Sequence, residues 1–317
     1  MLKECVLLSC RNLFKKYTLK ESDRPPFFML ENFLSYLRVE RRYSDHTILA
    51  YQNDIAAFIN FSEIRTDCEY VEVTPSLIRS WMVQLIQSGQ VNKTVNRKLS
   101  ALRSFFHFLR KESVIIHNPM IKVRGPKNER RLPVFAKESE LQPERIEPLF
   151  TNDFDGVRDR LMLEMFYQTG IRLSELIGLK LDNVTNVQIK VLGKRNKERI
   201  IPVSNELAVQ MNVYMKLRSE LVPKSSAFFL LKNGNKLYDK FVYRKINHYL
   251  GLATSLDKRS PHVLRHTFAT HMLNNGAGLE TLKDILGHAN LSATQVYTHN
   301  SFAQLTKVYS HAHPRGR

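Results

Sequence analysis

Asn92-Lys-Thr-Val-Asn-Arg-Lys-Leu-Ser-Ala-Leu-Arg-Ser-Phe-Phe-His-Phe-Leu-Arg-Lys111 decides the class of fold. Val95, Leu99, Leu102, Phe105, Phe106 and Leu109 recur at steps of three and four residues, the period of a helix that buries one face. Lys93, Arg97, Lys98 and Arg103 occupy the other face. The stretch therefore predicts a long amphipathic helix with a basic outer side. Two readings fit that side: an ordinary solvated face, or a surface for phosphates.

Three more helices precede it. Phe33, Leu34 and Leu37 repeat at helical spacing in a pattern that begins at Met29. Ser44-Asp45 caps a second helix carrying Ile48, Tyr51, Ile55, Phe58 and Ile59. Thr74-Pro75 places a cap and then a proline in the first turn of a third, with Leu77, Ile78, Trp81 and Leu85 inward and Gly89 at its end. Asn118-Pro119 stops the block, which predicts a four-helix domain over residues 29–120. Residues 1–28 read as an N-terminal extension, either flexible or arising from an upstream start codon. Residues 121–133 read as a basic linker. Pro126, Pro133 and Gly125 rule out a helix or a central strand there. Lys122, Arg124, Lys127, Arg130 and Arg131 make the linker either a solvated spacer or a strap along a phosphate backbone.

The second block, residues 134–317, is mainly helical with one exception. Val187, Ile189 and Val191 alternate, and Ile200, Ile201 and Val203 answer them across a basic tip, Gly193-Lys-Arg-Asn-Lys-Glu198. That pattern predicts a β-hairpin. Helices are expected at about 204–219, 238–250, 261–275, 279–286 and 292–298, with a last one from about Phe302 to Ser310.

Composition narrows the function. At 317 residues and 43% hydrophobic, the chain can build two cores. A formal charge of +18 suits a polyanionic partner, because Lys and Arg displace counterions condensed on phosphates. Cys5, Cys10 and Cys68 are an odd set with no CxxC, which argues against a disulfide framework or a cysteine zinc site. No apolar run approaches the roughly 18 residues that cross a bilayer. The run Cys5 to Leu8 is too short for a signal peptide. A cytoplasmic chain with no membrane partner is expected.

Three segments of the second block carry polar residues that a plain core does not need. In Thr169-Gly-Ile-Arg-Leu-Ser-Glu-Leu176, a helix ends at Gly170, and Glu175 lies one turn beyond Arg172. The pair is either structural or a phosphate fork held by its carboxylate. In Ser260-Pro-His-Val-Leu-Arg-His-Thr-Phe-Ala-Thr-His271, Ser260 caps a helix and places His262 at its N-terminus, where the dipole favours an anion. Arg265 shares that face. His262 and His266 also stand at the four-residue spacing of helix-borne zinc ligands. Val263 fills the position of the general base and no carboxylate follows nearby, so no metal site is expected; His266 and His271 read as packed or hydrogen-bonded. In Leu286-Gly-His-Ala-Asn-Leu-Ser-Ala-Thr-Gln-Val-Tyr297, Gly287 ends a helix and His288 follows in a turn. Ser292 and Gln295 form a capping box ahead of Tyr297.

Together these residues suit phosphoryl transfer. Fixed cationic donors stabilise the charge of a pentacoordinate phosphorus. A tyrosine hydroxyl needs such an environment before it attacks. The leaving oxygen needs a proton, and Lys194 at the hairpin tip is a cation within plausible reach.

The same residues, in the same order, resemble the tyrosine recombinase (phage integrase) family. The arginine motif, the His-x-x-Arg helix, the Leu-Gly-His turn and the Val-Tyr that follows are its marks. The first block resembles the family's SAM-like core-binding domain, with Tyr51, Asn96-Arg-Lys-Leu-Ser-Ala-Leu-Arg103 and Asn118-Pro119. The close, Tyr297-Thr-His to His313-Pro-Arg315, is most similar to Xer-type recombinases. The resemblance implies a fold of that helical domain plus a mixed, mostly helical catalytic domain that together clamp DNA. It implies that Arg172, His262, Arg265 and His288 hold the scissile phosphate, Glu175 supports them, Lys194 protonates the leaving 5′ oxygen and Tyr297 forms a 3′-phosphotyrosyl bond. Neither ATP nor a metal or other cofactor is implied. Partners would be double-stranded DNA and three more protomers on two sites, or a second recombinase in a hetero-oligomer, with residues 301–317 packing on a neighbour. The family often has glycine where this chain has Arg195. Roles open to such a chain are chromosome dimer resolution at the nucleoid or integration of a mobile element. The competing readings are a swivelase of the type IB topoisomerase kind, a DNA-binding protein without catalysis, and a metal-dependent nuclease.

Overall fold

In the computed structural model of the chain, residues 27–128, 134–193, 198–287 and 299–316 are described. The chain divides into two compact units between Arg131 and Leu132.

The first unit holds helices α1 (Phe28–Val39), α2 (Asp45–Ser62), α3 (Pro75–Gln87) and α4 (Asn92–Lys111). Their starts follow local chemistry. Ser44 Oγ accepts from Thr47 N at 3.4 Å and Thr74 Oγ1 from Leu77 N at 3.2 Å, each satisfying an orphan donor of a first turn. The six inward positions read from α4 are each no more than 1% exposed, so the helical period located its buried face correctly. Ala101 and Phe108 widen that face. Phe58 meets Trp81 edge-on at 5.2 Å between ring centres, an arrangement that favours aromatic pairs.

The basic segment after Asn118 starts as a short 3-10 turn, Pro119–Lys122, and then runs along α4. Asn96 Nδ2 donates to Pro126 O at 2.8 Å and to Asn128 Oδ1 at 3.0 Å, and Asn92 Nδ2 donates to Lys127 O at 2.9 Å. Val123 is buried beneath them. A Cβ on Gly125 would fall 1.9 Å from Asn96 Oδ1, so glycine allows this close approach.

The second unit is built around α6 (Phe154–Thr169), with α8 (Asn205–Ser219), α9 (Asp239–Ala253) and α10 (Pro261–Asn274) packed on it. Residues 161–169 of α6 are all buried, the signature of a helix surrounded on every side. Shorter elements complete the unit: α5 (Pro143–Ile146), α7 (Leu173–Gly178) and α11 (Leu279–Leu286). The expected hairpin forms from β1 (Gln188–Leu192) and β2 (Glu198–Pro202), antiparallel, with Ile189 opposite Ile201 and Val191 opposite Arg199. Ile189, Val191, Ile201 and Arg199 face inward. The fold is mainly helical, with this two-stranded sheet among the described residues. No described helix is long and apolar enough to cross a membrane.

The last helix, α12 (His299–Ala312), begins earlier and ends later than the sequence pattern suggests. In the single chain it docks on its own unit: Leu305, Tyr309 and Ala312 are buried in the second core. Beyond it, Arg315 pairs with Glu164, reaches Glu206 at 3.2 Å and donates to Leu141 O. The His313 ring donates from Nε2 to Tyr167 O at 3.3 Å and accepts Arg315 N at Nδ1 at 3.0 Å, so it is neutral. Burial pushes its pKa down to about 3.

Candidate active site

The site is assembled where α6, α10 and α11 end or begin close together. Gly170 terminates α6 at φ +59°. A Cβ there would meet Phe268 at 2.6 Å and Leu286 at 2.8 Å, so only glycine provides both the left-handed turn and the close approach of α10 and α11. Arg172 follows as the residue before α7. Glu175, one turn on, accepts the Arg172 backbone N–H at 2.8 Å and Arg172 Nη1 at 2.7 Å. The carboxylate is almost fully buried, whereas the Arg172 side chain is 31% exposed and keeps part of its fork toward solvent.

A residue that sequence reading missed completes the pair. Arg199 on β2, 4% exposed, grips both oxygens of Glu175 at 2.8 Å through Nη1 and Nη2. Its signal was present in the hairpin pattern. Ile201 and Val203 point inward by alternation, and Arg199 lies on the same face two residues earlier. An arginine in an inward register position needs a buried acceptor.

α11 contributes its C-terminal carbonyls. These have no partners within the helix and sit at the negative end of its dipole. Arg199 Nε donates to Ile285 O at 2.6 Å, Arg265 Nη2 to Leu286 O at 2.7 Å and Arg172 Nη2 to Gly287 O at 3.1 Å. Three successive carbonyls thus receive three arginines from three different elements. Arg265 Nη1 also donates to Gly170 O, tying the ends of α6 and α11 together. Gly287 closes α11 at φ +66°.

The electrostatics of this cluster are unbalanced. Arg172 and Arg199 bond one carboxylate, Glu175, and the charge of Arg265 lies close by, a local excess of two positive charges among the described residues. Burial alone would raise the Glu175 carboxyl. Hydrogen bonds and charge from Arg199, then hydrogen bonds from Arg172, hold it at about 2 instead. Burial and then the charges of Arg172 and Arg199 push the Arg265 guanidinium down to about 9, so it remains charged at neutral pH. A cluster with this surplus can take an anion such as a phosphate.

His262 sits exposed in the first turn of α10. Ser260 Oγ caps that turn by accepting Val263 N at 3.4 Å, and Pro261 holds its first position. His262, Arg265 and His266 line one hollow with Lys283 of α11. His266 therefore faces the site side, whereas His271 is packed. His271 donates from Nε2 to Ala136 O at 3.0 Å and accepts the Tyr167 hydroxyl at Nδ1 at 3.1 Å. No group of three His, Cys, Asp or Glu suited to a metal occurs among the described residues. Lys194, His288 and Tyr297 lie outside the described residues, as do Arg130, Arg131 and the N-terminal extension up to residue 26.

The structure assigns the other basic candidates differing environments. Lys93, Arg97, Arg103, Lys122, Arg124 and Lys127 are exposed. Asp54, 2% exposed, holds Lys98 at 3.1 Å and also pairs with Arg97. Arg103 bonds Val123 O at 3.4 Å. A second surface escaped the sequence reading. Tyr238, Lys240, Tyr243 and Arg244 at the start of α9 share a surface hollow with Leu173, the residue after Arg172.

Residues 140–304 match the phage integrase family, and residues 30–113 match the phage integrase N-terminal SAM-like domain. The tyrosine recombinase XerC of Thermodesulfovibrio yellowstonii is 38% identical over 295 residues, covering 90% of this chain and 96% of that protein. The chain belongs to the phage integrase family of tyrosine recombinases. XerC of Listeria innocua is 40% identical to this recombinase over 291 residues, covering 90% and 97% of the two proteins. The crystal structure of the XerH site-specific recombinase bound to palindromic difH substrate matches the fold with a TM-score of 0.65 at 18% identity, covering 93% of this chain and 96% of that one. As a member of this family the recombinase is a DNA strand-transfer enzyme of the Xer type.

Proposed function

We propose that this recombinase cuts and rejoins DNA through Tyr297 at a phosphate held by Arg172, His262, Arg265 and His288. The observation that carries the proposal is that Arg172 and Arg199 bond the buried Glu175 carboxylate with the Arg265 guanidinium close by, so that three guanidiniums face one carboxylate among the described residues. The Tyr297 oxygen attacks phosphorus as its proton passes to solvent, the bond from phosphorus to the 5′ oxygen breaks, and a 3′-phosphotyrosyl link forms. Lys194 gives the leaving 5′ oxygen its proton. A 5′ hydroxyl from another strand then reverses the step and releases the tyrosine. Glu175 orients Arg172 throughout. The phosphotyrosyl link conserves the energy of the broken bond, so ATP has no step to drive. The arginines supply the charge neutralisation that a metal supplies in many nucleases.

Lys93, Arg97, Arg103, Lys122, Arg124, Lys127, Arg130 and Arg131 contribute backbone contacts, which set affinity and register without reading sequence, whereas Lys98, also expected there from the sequence, is tied to Asp54 and serves the fold of the first unit. Four protomers act on two duplexes in the cytoplasm at the nucleoid, alone or with a second recombinase. Exchange of α12 onto a neighbour in that assembly requires release of the His313 and Arg315 contacts that hold it to its own unit. Relatives named XerC favour chromosome dimer resolution over integration of a mobile element.

The test is covalent capture. Purified protein is mixed with sheared host DNA and chelator, stopped with detergent, and the protein-linked DNA is recovered and sequenced. Wild type yields linked DNA with a common end sequence, and Tyr297→Phe yields none. Equal recovery from Tyr297→Phe removes that tyrosine as the nucleophile. Recovery that disappears with chelator points to a metal-dependent route.

A further inference from the structure

Arg199 takes no part in the proposed phosphate site. Its guanidinium is buried, and its Nε, Nη1 and Nη2 are engaged with Ile285 O and the two oxygens of Glu175. We propose that Arg199 is a positioning residue: it locks β2, α7 and the C-terminal end of α11 in one register and keeps Glu175 from capturing the Arg172 fork. This rests on the reading that Arg172 and Arg265 hold the scissile phosphate.

The geometry supports both halves. Glu175 has two oxygens, and Arg199 occupies both from one side. Arg172 is left with one side-chain bond to Glu175, from Nη1, and directs Nη2 to Gly287 O. Without Arg199, the carboxylate is free to accept Arg172 through both terminal nitrogens, the preferred arrangement for that pair. The fork would then be neutralised before a phosphate arrives. The second half concerns α11. Its last two carbonyls and that of the Gly287 cap face Arg199, Arg265 and Arg172 in order. Arg199 is the one of these donors anchored in the hairpin, so it ties the sheet to the turn that leads toward His288. A Cβ at Gly287 would come within 3.1 Å of Arg199 Cδ, so the backbone there passes directly against this side chain. Lysine cannot substitute, since a point charge cannot bridge two carboxylate oxygens and a carbonyl in one plane.

The consequence is also titratable. The charged groups that face Glu175 are Arg172 on its own turn, Arg199 from β2 and Arg265 from α10; α11 presents carbonyls. Arg199 is the strongest influence holding that carboxyl ionised. Its loss moves protonation of Glu175 toward neutral pH, where Arg172 then loses its orienting partner.

The probe is the duplex sequence captured by wild type, nicked beside the cleavage point so that covalent product accumulates. Arg199→Lys, Arg199→Met and Glu175→Gln are compared with wild type for DNA binding, thermal melting and single-turnover cleavage from acid to alkaline pH. Arg199→Lys is expected to melt near wild type, to bind within about threefold, and to cleave about 100-fold more slowly, with its acid limb moved to higher pH. Combining Arg199→Lys with Glu175→Gln is expected to cost little more than Glu175→Gln alone, and to abolish that shift of the limb. Wild-type cleavage by folded Arg199→Lys overturns the proposal. So does a loss of binding, melting and cleavage together with an unmoved acid limb, which marks a merely structural arginine. Should wild type itself give no covalent product, the phosphate-site reading fails first and the role of Arg199 with it.

Discussion

Asp54 in the first unit and Glu175 in the second each lie buried beneath more positive charge than they can neutralise. Asp54 holds Arg97 and Lys98 from consecutive positions of one helix. Glu175 holds Arg172 and Arg199 from separate elements, with Arg265 close by. The difference lies in what remains free to move. The Arg97 side chain is 52% exposed and its partners come from one helix face, so its position is loosely set. Around Glu175 the bonds are bidentate, come from several directions and also fasten the end of a helix. An exposed cation contributes affinity and can adjust to any backbone. A buried, cross-braced one contributes direction, which catalysis needs because donors must meet charge only as it develops. On the function proposed above, one motif, a surplus of cations on a carboxylate, serves attraction in one unit and preorganisation in the other.

The largest effect that sharpens this contrast is expected from Arg265→Ala. Cleavage of the captured duplex falls about 1,000-fold while binding changes only a few-fold. A proportional loss of both in a gel-shift and covalent-capture comparison would place Arg265 with the affinity residues instead.

Glu175→Gln comes next. The Glu175 carboxyl titrates at about 2 in the folded chain, below its ordinary value of 4.5. A depressed carboxyl stabilises the fold fully above its unfolded value and loses that contribution as pH falls from about 4.5 toward 2. Denaturant melts of wild type are expected to lose stability through that window, and Glu175→Gln to start lower and vary less. Parallel curves would mean that Glu175 does not govern the acid sensitivity of the second unit.

The smallest effects compare two lysines on α4. Lys93 is exposed, whereas Lys98 is tied to Asp54 with its side chain 12% exposed. Lys93→Ala is expected to weaken DNA binding about threefold and to lower the salt slope by about one. Lys98→Ala is expected to leave the slope nearly unchanged and to destabilise the first unit by about 1–3 kcal/mol, the cost of leaving a buried carboxylate short of a partner. Equal salt slopes for the two variants would erase the distinction between free and tethered cations.

What the sequence determined alone is what depends on local periodicity and local chemistry. The six apolar positions of α4, the caps at Ser44, Thr74 and Ser260, the glycine stops at Gly170 and Gly287 and the strands on either side of residue 193 follow from spacing within a few residues. So does the Arg172–Glu175 pair, since one helical turn brings the two together. Tertiary structure decided what depends on partners distant in the chain. Arg199 is unremarked in a strand until folding places it on Glu175, 24 residues earlier, and on Ile285, 86 residues later. Asp54 turns Lys98 from a free surface cation into a buried ion pair across 44 residues. The basic segment after Asn118 is held along α4 by Asn92 and Asn96, and α12 fills its own core through Leu305, Tyr309 and Ala312. In each case the reason is the same. Burying a charge or an apolar face requires a partner that satisfies it, and the identity of that partner is a property of the folded chain.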